Sequence, residues 1–210
     1  MSLNQDNPII QRLIENYPDA SCSLRYKTPH ELLIATILSA QCTDERVNKV
    51  TTKLFAKYKT IADFAHTSEE DLQKDIHSTG FFRNKAKNII ATCRIILTDY
   101  GGKVPKTMKE LTSLPGVARK TGNVVLGNAF NITDGIVVDT HVTRLSRRFG
   151  WTQEKRADKI ELDLMKRIPK EEWINISHRL ILHGRKYCQA RKANCTDCFL
   201  NTLCPSAFKL

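Results

Sequence analysis

Four cysteines, Cys188, Cys195, Cys198 and Cys204, crowd into seventeen residues near the end of the 210-residue chain, in the pattern C-x6-C-x2-C-x5-C. Thiolates gathered this closely need a cation, because burying like charges without compensation is strongly unfavourable. With reduced thiols, such a group reads as a metal site rather than a pair of disulfides. Zinc motifs usually come as two short-spaced pairs, and here only Cys195 and Cys198 stand close. Four soft thiolates suit zinc or an iron–sulfur cluster equally well. The other three cysteines, Cys22, Cys42 and Cys93, are scattered and read as small core side chains.

A second chemical segment is Leu114-Pro115-Gly116-Val117-Ala118-Arg119-Lys120-Thr121. It lies between helical patterns near 108–113 and 122–130. Pro-Gly marks a tight turn in which Gly116 is free to take positive φ. A helix starting after such a turn presents unpaired backbone N–H groups, a ready anion site to which Arg119 and Lys120 add charge. Asp139 precedes the apolar-periodic run from Thr140 and fits the N-cap of that helix.

The elements that must carry these residues read as all-α. Apolar side chains recur at three-to-four spacing, and the helix starts are explicit. Thr28-Pro29-His30-Glu31 is a capping box with proline at the first helical position. Ser68 to Asp71 and Thr107 to Glu110 repeat that logic. Further helices are predicted near 8–16, 44–58, 83–99, 140–149, 153–167 and 170–187, about ten in all. No stretch alternates convincingly as a strand, apart from the short Ile136-Val137-Val138 run.

Composition bounds the function. Lys and Arg number 33 against 22 Asp and Glu, a formal net charge of +11, and apolar residues make up 41%. The first 80 residues hold nine basic and eleven acidic side chains, the remainder twenty-four and eleven. So one-sided an excess suggests a polyanion met by the later part of the chain. Apolar runs such as Leu32 to Ala35 fall far short of the roughly 18 residues that a membrane span needs. The opening MSLNQDNPII has neither a basic nor an apolar leader region, so a cytoplasmic protein without a membrane partner is expected.

Taken together, the cysteine spacing, LPGVARKTGNVV, IVVDTHVTRL, LLIATILSAQCTDERVNKV and STGFFRNKAKNI resemble the endonuclease III family of DNA base-excision glycosylases over nearly the whole chain. The resemblance implies a 4Fe–4S cluster on the four cysteines and a two-lobed helical fold with a helix–hairpin–helix element at about 107–130. One lobe would be a helical barrel of 22–133. The other would join 1–21 to 134–210 around the cluster loop, with DNA bound across the cleft. It further implies a monomer acting on damaged double-stranded DNA, associated with the nucleoid when bound.

Enzymes that work on a base must flip it out of the stack, and the vacancy has to be filled. By resemblance Gln41 and the residue after Gly80, Phe81, fill it; of the neighbours Phe81 and Phe82 one is expected to pack inward, and Phe81 is favoured as the wedge. An apolar wedge between base steps is a known way to hold a kinked duplex. Lys120 is implied to be the nucleophile at the sugar C1′, forming a Schiff base that permits β-elimination. Asp139 is implied to take a proton and to stabilise positive charge on the sugar. Gly116, Ala118, Arg119, His141, Arg144, Arg185 and Lys192 are the expected DNA contacts. One departure stands out: the family's hairpin reads Pro-Gly-hydrophobic-Gly, and here the last position is Ala118, which predicts strain if the backbone there needs positive φ.

The resulting expectation is a bifunctional glycosylase and abasic-site lyase for oxidised pyrimidines. The alternatives are a thymine- or adenine-mismatch glycosylase of the same superfamily, or a non-catalytic metal-bearing DNA-binding or redox-sensing protein. The adenine-specific relatives lack the lysine, and the non-catalytic reading has no use for Lys120 together with Asp139.

Overall fold

The computed structural model describes residues 7–209; the first six residues of the opening segment, on which the leaderless reading rests, lie outside them. Among the described residues there are eleven α-helices, two 3-10 turns and no strand, as the all-α pattern predicts. Ile136, Val137 and Val138 are extended and buried. The Val137 carbonyl accepts from the Ser177 hydroxyl at 2.8 Å, so a side chain replaces the ladder bond a strand would have supplied.

The predicted caps are in place. Thr28, Ser68 and Thr107 each accept from the backbone N–H three residues on, Glu31, Asp71 and Glu110 respectively. Two further starts, Thr43 and Thr60, are capped in the same way.

The chain divides into two compact units, one of which is Cys22–Asp134 while the other joins the segment before it to the segment after it. In the Cys22–Asp134 unit the helices are α2 (Pro29–Leu38), α3 (Asp44–Lys57), α4 (Ile61–His66), α5 (Glu69–Ile76), α6 (Phe82–Asp99), α7 (Met108–Ser113) and α8 (Arg119–Phe130), with a 3-10 turn at His77–Thr79. Helix α2 is buried from Leu32 to Leu38 without interruption, the pattern of a helix enclosed on all sides. Helix α8 packs against it, and α6 packs along α4 and α5.

Helix α6 carries an apolar register of Ala86, Ile89, Ile90, Cys93 and Ile96, all buried. Three polar residues at helical spacing serve the loops around it. Lys85 Nζ donates to the carbonyls of Leu38 and Thr79, Asn88 lies against Gly116, and Thr92 Oγ1 donates to the Pro115 carbonyl at 2.8 Å. Spacing of three and four residues puts them on one side of the helix.

The other unit contains α1 (Pro8–Asn16), α9 (Thr140–Arg148), α10 (Ala157–Arg167), a 3-10 turn at Lys170–Glu172 and α11 (Trp173–Lys186). Leu13, Ile136, Val142, Leu145, Ile160, Leu164, Ile176, Leu180 and Leu200 meet in its core. Helices α9 and α11 approach so closely at Gly184 that a Cβ there would stand 2.8 Å from His141 Nδ1 and 2.9 Å from Arg144 Nη2.

Three predicted helix starts shift. Helix α8 begins at Arg119 rather than 122, because Ala118 takes the extended N-cap conformation and the helix needs no loop residues after it. Helix α10 begins at Ala157 rather than 153, since residues 153–156 are polar and exposed with nothing apolar to bury. The predicted 170–187 helix opens with a 3-10 turn behind Pro169.

The enclosure of α2 sets a stability expectation. Leu32 is fully buried, and Leu32→Ala should cost roughly 2–5 kcal/mol through lost burial and a cavity. Urea unfolding measures this, and a loss below about 1 kcal/mol would contradict the burial of that helix.

Candidate active site

The turn between α7 and α8 is built by close contacts that dictate its residue types. Gly116 has φ of +75°, and a Cβ on it would stand 2.7 Å from Asn88 Nδ2. It therefore excludes side chains twice, by conformation and by space. Gly122 lets α7 approach α8: a Cβ there would meet Met108 Sδ at 2.6 Å. Ala118 has φ of −87° in extended backbone. The strain expected from a methyl group in place of the family's second glycine is therefore absent, because an L-residue occupies that conformation freely.

Because α8 starts at Arg119, Lys120 stands in the first helical turn and not in the loop before it. No side chain caps this helix and its first turn has no acidic residue. Ala118, Arg119 and Lys120 are exposed, so the positive end of the helix dipole and its free N–H groups face solvent. Arg119 pairs with Asp134 at 3.2 Å, with both side chains nearly half exposed. Such a pair contributes at most about 1 kcal/mol, and a phosphate can displace it. The Lys120 side chain has no hydrogen bond or ion pair among the described residues.

Gln41 and Phe81 share an unusual backbone state. Their φ angles are +52° and +49°, in the left-handed region that costs a non-glycine residue roughly 1–2 kcal/mol. Both are exposed, Phe81 to 62%. Phe82 turns the other way and stacks on His77, with ring centroids 4.5 Å apart.

In the other unit, Asp139 is the N-cap of α9: its Oδ1 accepts from the Val142 N–H at 2.8 Å. That bond fixes the carboxylate and leaves Oδ2 without a hydrogen bond among the described residues, with the Arg144 charge nearby. Arg144, expected to touch DNA, is half-buried and works inside the unit. Its Nε donates to the Cys188 carbonyl at 3.1 Å, and its Nη2 lies 3.0 Å from His141 Nδ1. His141 is thereby held half-buried as well. Arg185 and Lys192 are exposed, Lys192 beside Lys186 and Gln189.

Cys188, Cys195, Cys198 and Cys204 line one recess together with Phe149, His183 and Tyr187. Burial pushes the Cys198 and Cys204 thiols up, and the neighbouring sulfurs add to that rise. A cation among them is what makes four thiolates tenable. Two unread residues attend the sulfurs. Arg148 Nη1 lies 3.0 Å from Cys188 Sγ and also bonds the Gln189 carbonyl, while Nη2 bonds that of Ala190. His183 Nε2 lies 3.5 Å from Cys198 Sγ, and burial lowers its pKa to about 4. Among the described residues no three His, Cys, Asp or Glu side chains close to single-ion geometry.

Lys85 and Asn88 also take roles that no sequence motif announces. The available signal was a lysine falling on the apolar register of α6, where a charged side chain is out of place unless it has buried partners.

Comparison with known proteins adds to this geometry. Residues 34–170 match the model of the HhH-GPD superfamily base excision DNA repair proteins. Endonuclease III of Synechocystis is 57% identical over 191 residues, covering 91% of this chain and 87% of that protein. A solved structure of a trapped covalent intermediate between endonuclease III and DNA superposes with a TM-score of 0.92 at 45% identity, covering 100% of this chain and 98% of the other. A thermostable thymine-DNA glycosylase superposes with a TM-score of 0.85 at 25% identity, covering 97% and 96%.

Gly116→Ala should destabilise the protein by roughly 1–3 kcal/mol, through positive φ together with the Asn88 clash. Adding Asn88→Ala removes the clash but not the φ penalty, so part of the loss should return. Thermal melts of the single and double variants decide, and no recovery in the double variant rejects the steric half of the explanation.

Proposed function

The chain belongs to the HhH-GPD superfamily of base excision DNA repair proteins and, within it, to the endonuclease III family, and from that premise we propose that it is a bifunctional DNA glycosylase and abasic-site lyase for oxidised pyrimidines in damaged duplex DNA. The observation that carries this reading is Lys120: an exposed amine in the first turn of an uncapped helix, in a chain 45% identical to a protein captured covalently on DNA.

The roles follow from the groups present. Phosphates dock on the free N–H groups at the start of α8 and on Arg119. Gln41 and Phe81 occupy the gap left by the flipped nucleotide. Lys120 attacks C1′ as the neutral amine, and the bond to the base breaks with its electron pair leaving on the base. The amine proton passes by way of the Asp139 carboxylate to the ring oxygen as the C1′–O4′ bond breaks, giving the protonated Schiff base. That iminium acts as the electron sink for loss of the C2′ proton and departure of the 3′ phosphate. Water then releases the enzyme. Asp139, its Oδ1 held by the cap, supplies Oδ2 to accept the proton and to stabilise positive charge on the sugar. Arg185 and Lys192 add phosphate contacts; Arg144 instead braces the Cys188 segment.

The four cysteines would hold a 4Fe–4S cluster, a group that takes four thiolates. It would staple the chain from the end of α11 to Cys204 into a rigid loop. Arg148 would then donate to a ligand sulfur, and outer partners of this kind tune how firmly a metal group is held.

Borohydride should trap a covalent adduct between the protein and duplex carrying an oxidised pyrimidine, and Lys120→Ala should abolish it. Undiminished trapping by that variant would falsify the nucleophile assignment. Asp139 separates two contributions. Asparagine caps a helix about as well as aspartate, whereas Asp→Ala costs roughly 0.5–2 kcal/mol. Asp139→Asn should therefore keep the melting temperature while lowering turnover by about 100-fold or more; a variant with wild-type turnover removes the carboxylate from the chemistry. For the cysteines, iron and sulfide analysis should give equimolar iron and inorganic sulfide with visible absorbance, and Cys198→Ser should lose both; zinc without sulfide overturns the cluster.

A further inference from the structure

Lys85 is 5% exposed, yet its ammonium sits among carbonyls rather than carboxylates. Nζ donates to Leu38 O at 2.8 Å and to Thr79 O at 2.9 Å. Leu38 is the last residue of α2 and Thr79 the last of the 3-10 turn, so both oxygens are carbonyls at helical C-termini, where the chain supplies no onward N–H and where positive charge is favoured. Three residues after Leu38 comes Gln41, and two residues after Thr79 comes Phe81. The Lys85 backbone N–H also bonds the Phe81 carbonyl at 3.1 Å. One residue thus ties the two loops whose exposed tips stand in the left-handed region.

We propose that Lys85 is a positioning residue that fixes the spacing of the Gln41 and Phe81 loops, so that the two side chains enter the duplex as one preassembled pair. This rests on the reading that those side chains fill the gap. The physical case has two parts. Strained backbone persists only where its surroundings over-determine it, and Gln41 and Phe81 are both strained and both exposed at their tips, so their restraint has to come from below. A buried ammonium is expensive, and burial here disfavours its charged form. Apolar packing could have joined α2 to α6 at lower cost. What an ammonium does, and an apolar side chain cannot, is hold two carbonyls of separate segments at a set distance through directional bonds.

The test compares duplex with single-stranded substrate, because an abasic site in single-stranded DNA leaves no gap to fill. The full-length protein is assayed as wild type, Lys85→Met, the double variant Gln41→Ala/Phe81→Ala, and the triple variant. Readouts are kcat and KM for strand cleavage on both substrates, and the fluorescence of 2-aminopurine placed opposite the abasic site in the duplex, which reports insertion. Lys85→Met should cut duplex kcat by roughly 10- to 100-fold, the scale of a small misplacement of a working group, with single-strand cleavage within about twofold of wild type. Its 2-aminopurine signal should fall to that of the double variant, and the triple variant should be little worse, since residues acting as one unit are not additive.

An unchanged duplex-to-single-strand ratio in Lys85→Met overturns the proposal, as does an equal loss on both substrates, which marks a general structural role. If Gln41→Ala/Phe81→Ala leaves duplex cleavage and fluorescence intact, the gap-filling reading fails and the Lys85 proposal falls with it. A double variant that loses both while Lys85→Met loses neither rejects Lys85 alone. Should Lys85→Met fail to fold, Lys85→Gln is read by the same ratio: its shorter amide cannot span both carbonyls, and wild-type behaviour rejects the proposal.

Discussion

The Cys22–Asp134 unit depends on what the polar residues of α6 touch. Lys85 and Thr92 bond respectively the carbonyls ending α2 and the 3-10 turn and the Pro115 carbonyl, and Asn88 packs against Gly116. Each is a loop that carries a residue implicated in binding or chemistry. Loops on a surface are ordinarily the least ordered part of a fold, and precise chemistry needs them fixed. A continuous helix is the stiffest element available, so loops attached to one helix share a single frame. The buried apolar residues between the polar ones, Ala86, Ile89 and Ile90, anchor that frame in the core.

Two helix starts resolve the competition between capping and the proposed chemistry in opposite ways. Asp139 caps α9 through one oxygen, which leaves the other for the proposed chemistry, so its orientation is a by-product of the helix start. The start of α8 is the opposite case. A serine or aspartate at position 118 would satisfy the free N–H groups and stabilise the helix by about 1 kcal/mol. It would also occupy the donors that a phosphate needs. Ala118 forgoes the cap and, with φ of −87°, does so without strain.

The all-α architecture was legible because helical periodicity and capping residues are local signals; Thr28, Ser68 and Thr107 cap as their side chains predict. Lys120 and Asp139 stand out in the sequence through motifs and the four cysteines through spacing; the structure places Lys120 in the first turn of α8, Asp139 at the N-cap of α9 and the four cysteines on one recess. The rest depends on contacts distant in sequence. That Gly116 faces Asn88, or that Lys85 serves Leu38 forty-seven residues earlier, is invisible to any local window. Arg144 shows the same limit: its place beside a motif suggests a phosphate contact, and only the fold shows that its guanidinium also bonds the Cys188 carbonyl. The start of α8 was misplaced by three residues because Arg119 and Lys120 read as polar loop, whereas a helix whose first turn binds anions has to expose such residues.

Several features of the Cys22–Asp134 unit break the rules that local stability would impose: two α-helices without a side-chain N-cap, non-glycine residues at positive φ at Gln41, Phe81 and Asn131, and a buried ammonium without a carboxylate. Each costs on the order of 1 kcal/mol or more. Folded domains have only about 5–15 kcal/mol in hand, so such costs persist where something offsets them. The offset here is α2, buried from Leu32 to Leu38 with α8 packed on it and α6 alongside. Local rules are expected to fail at working sites, and apart from the Asn131 C-cap of α8 these failures fall on residues proposed to face a duplex or to hold those that do. A core enclosed this tightly lets strained, under-satisfied residues stay in place long enough to act.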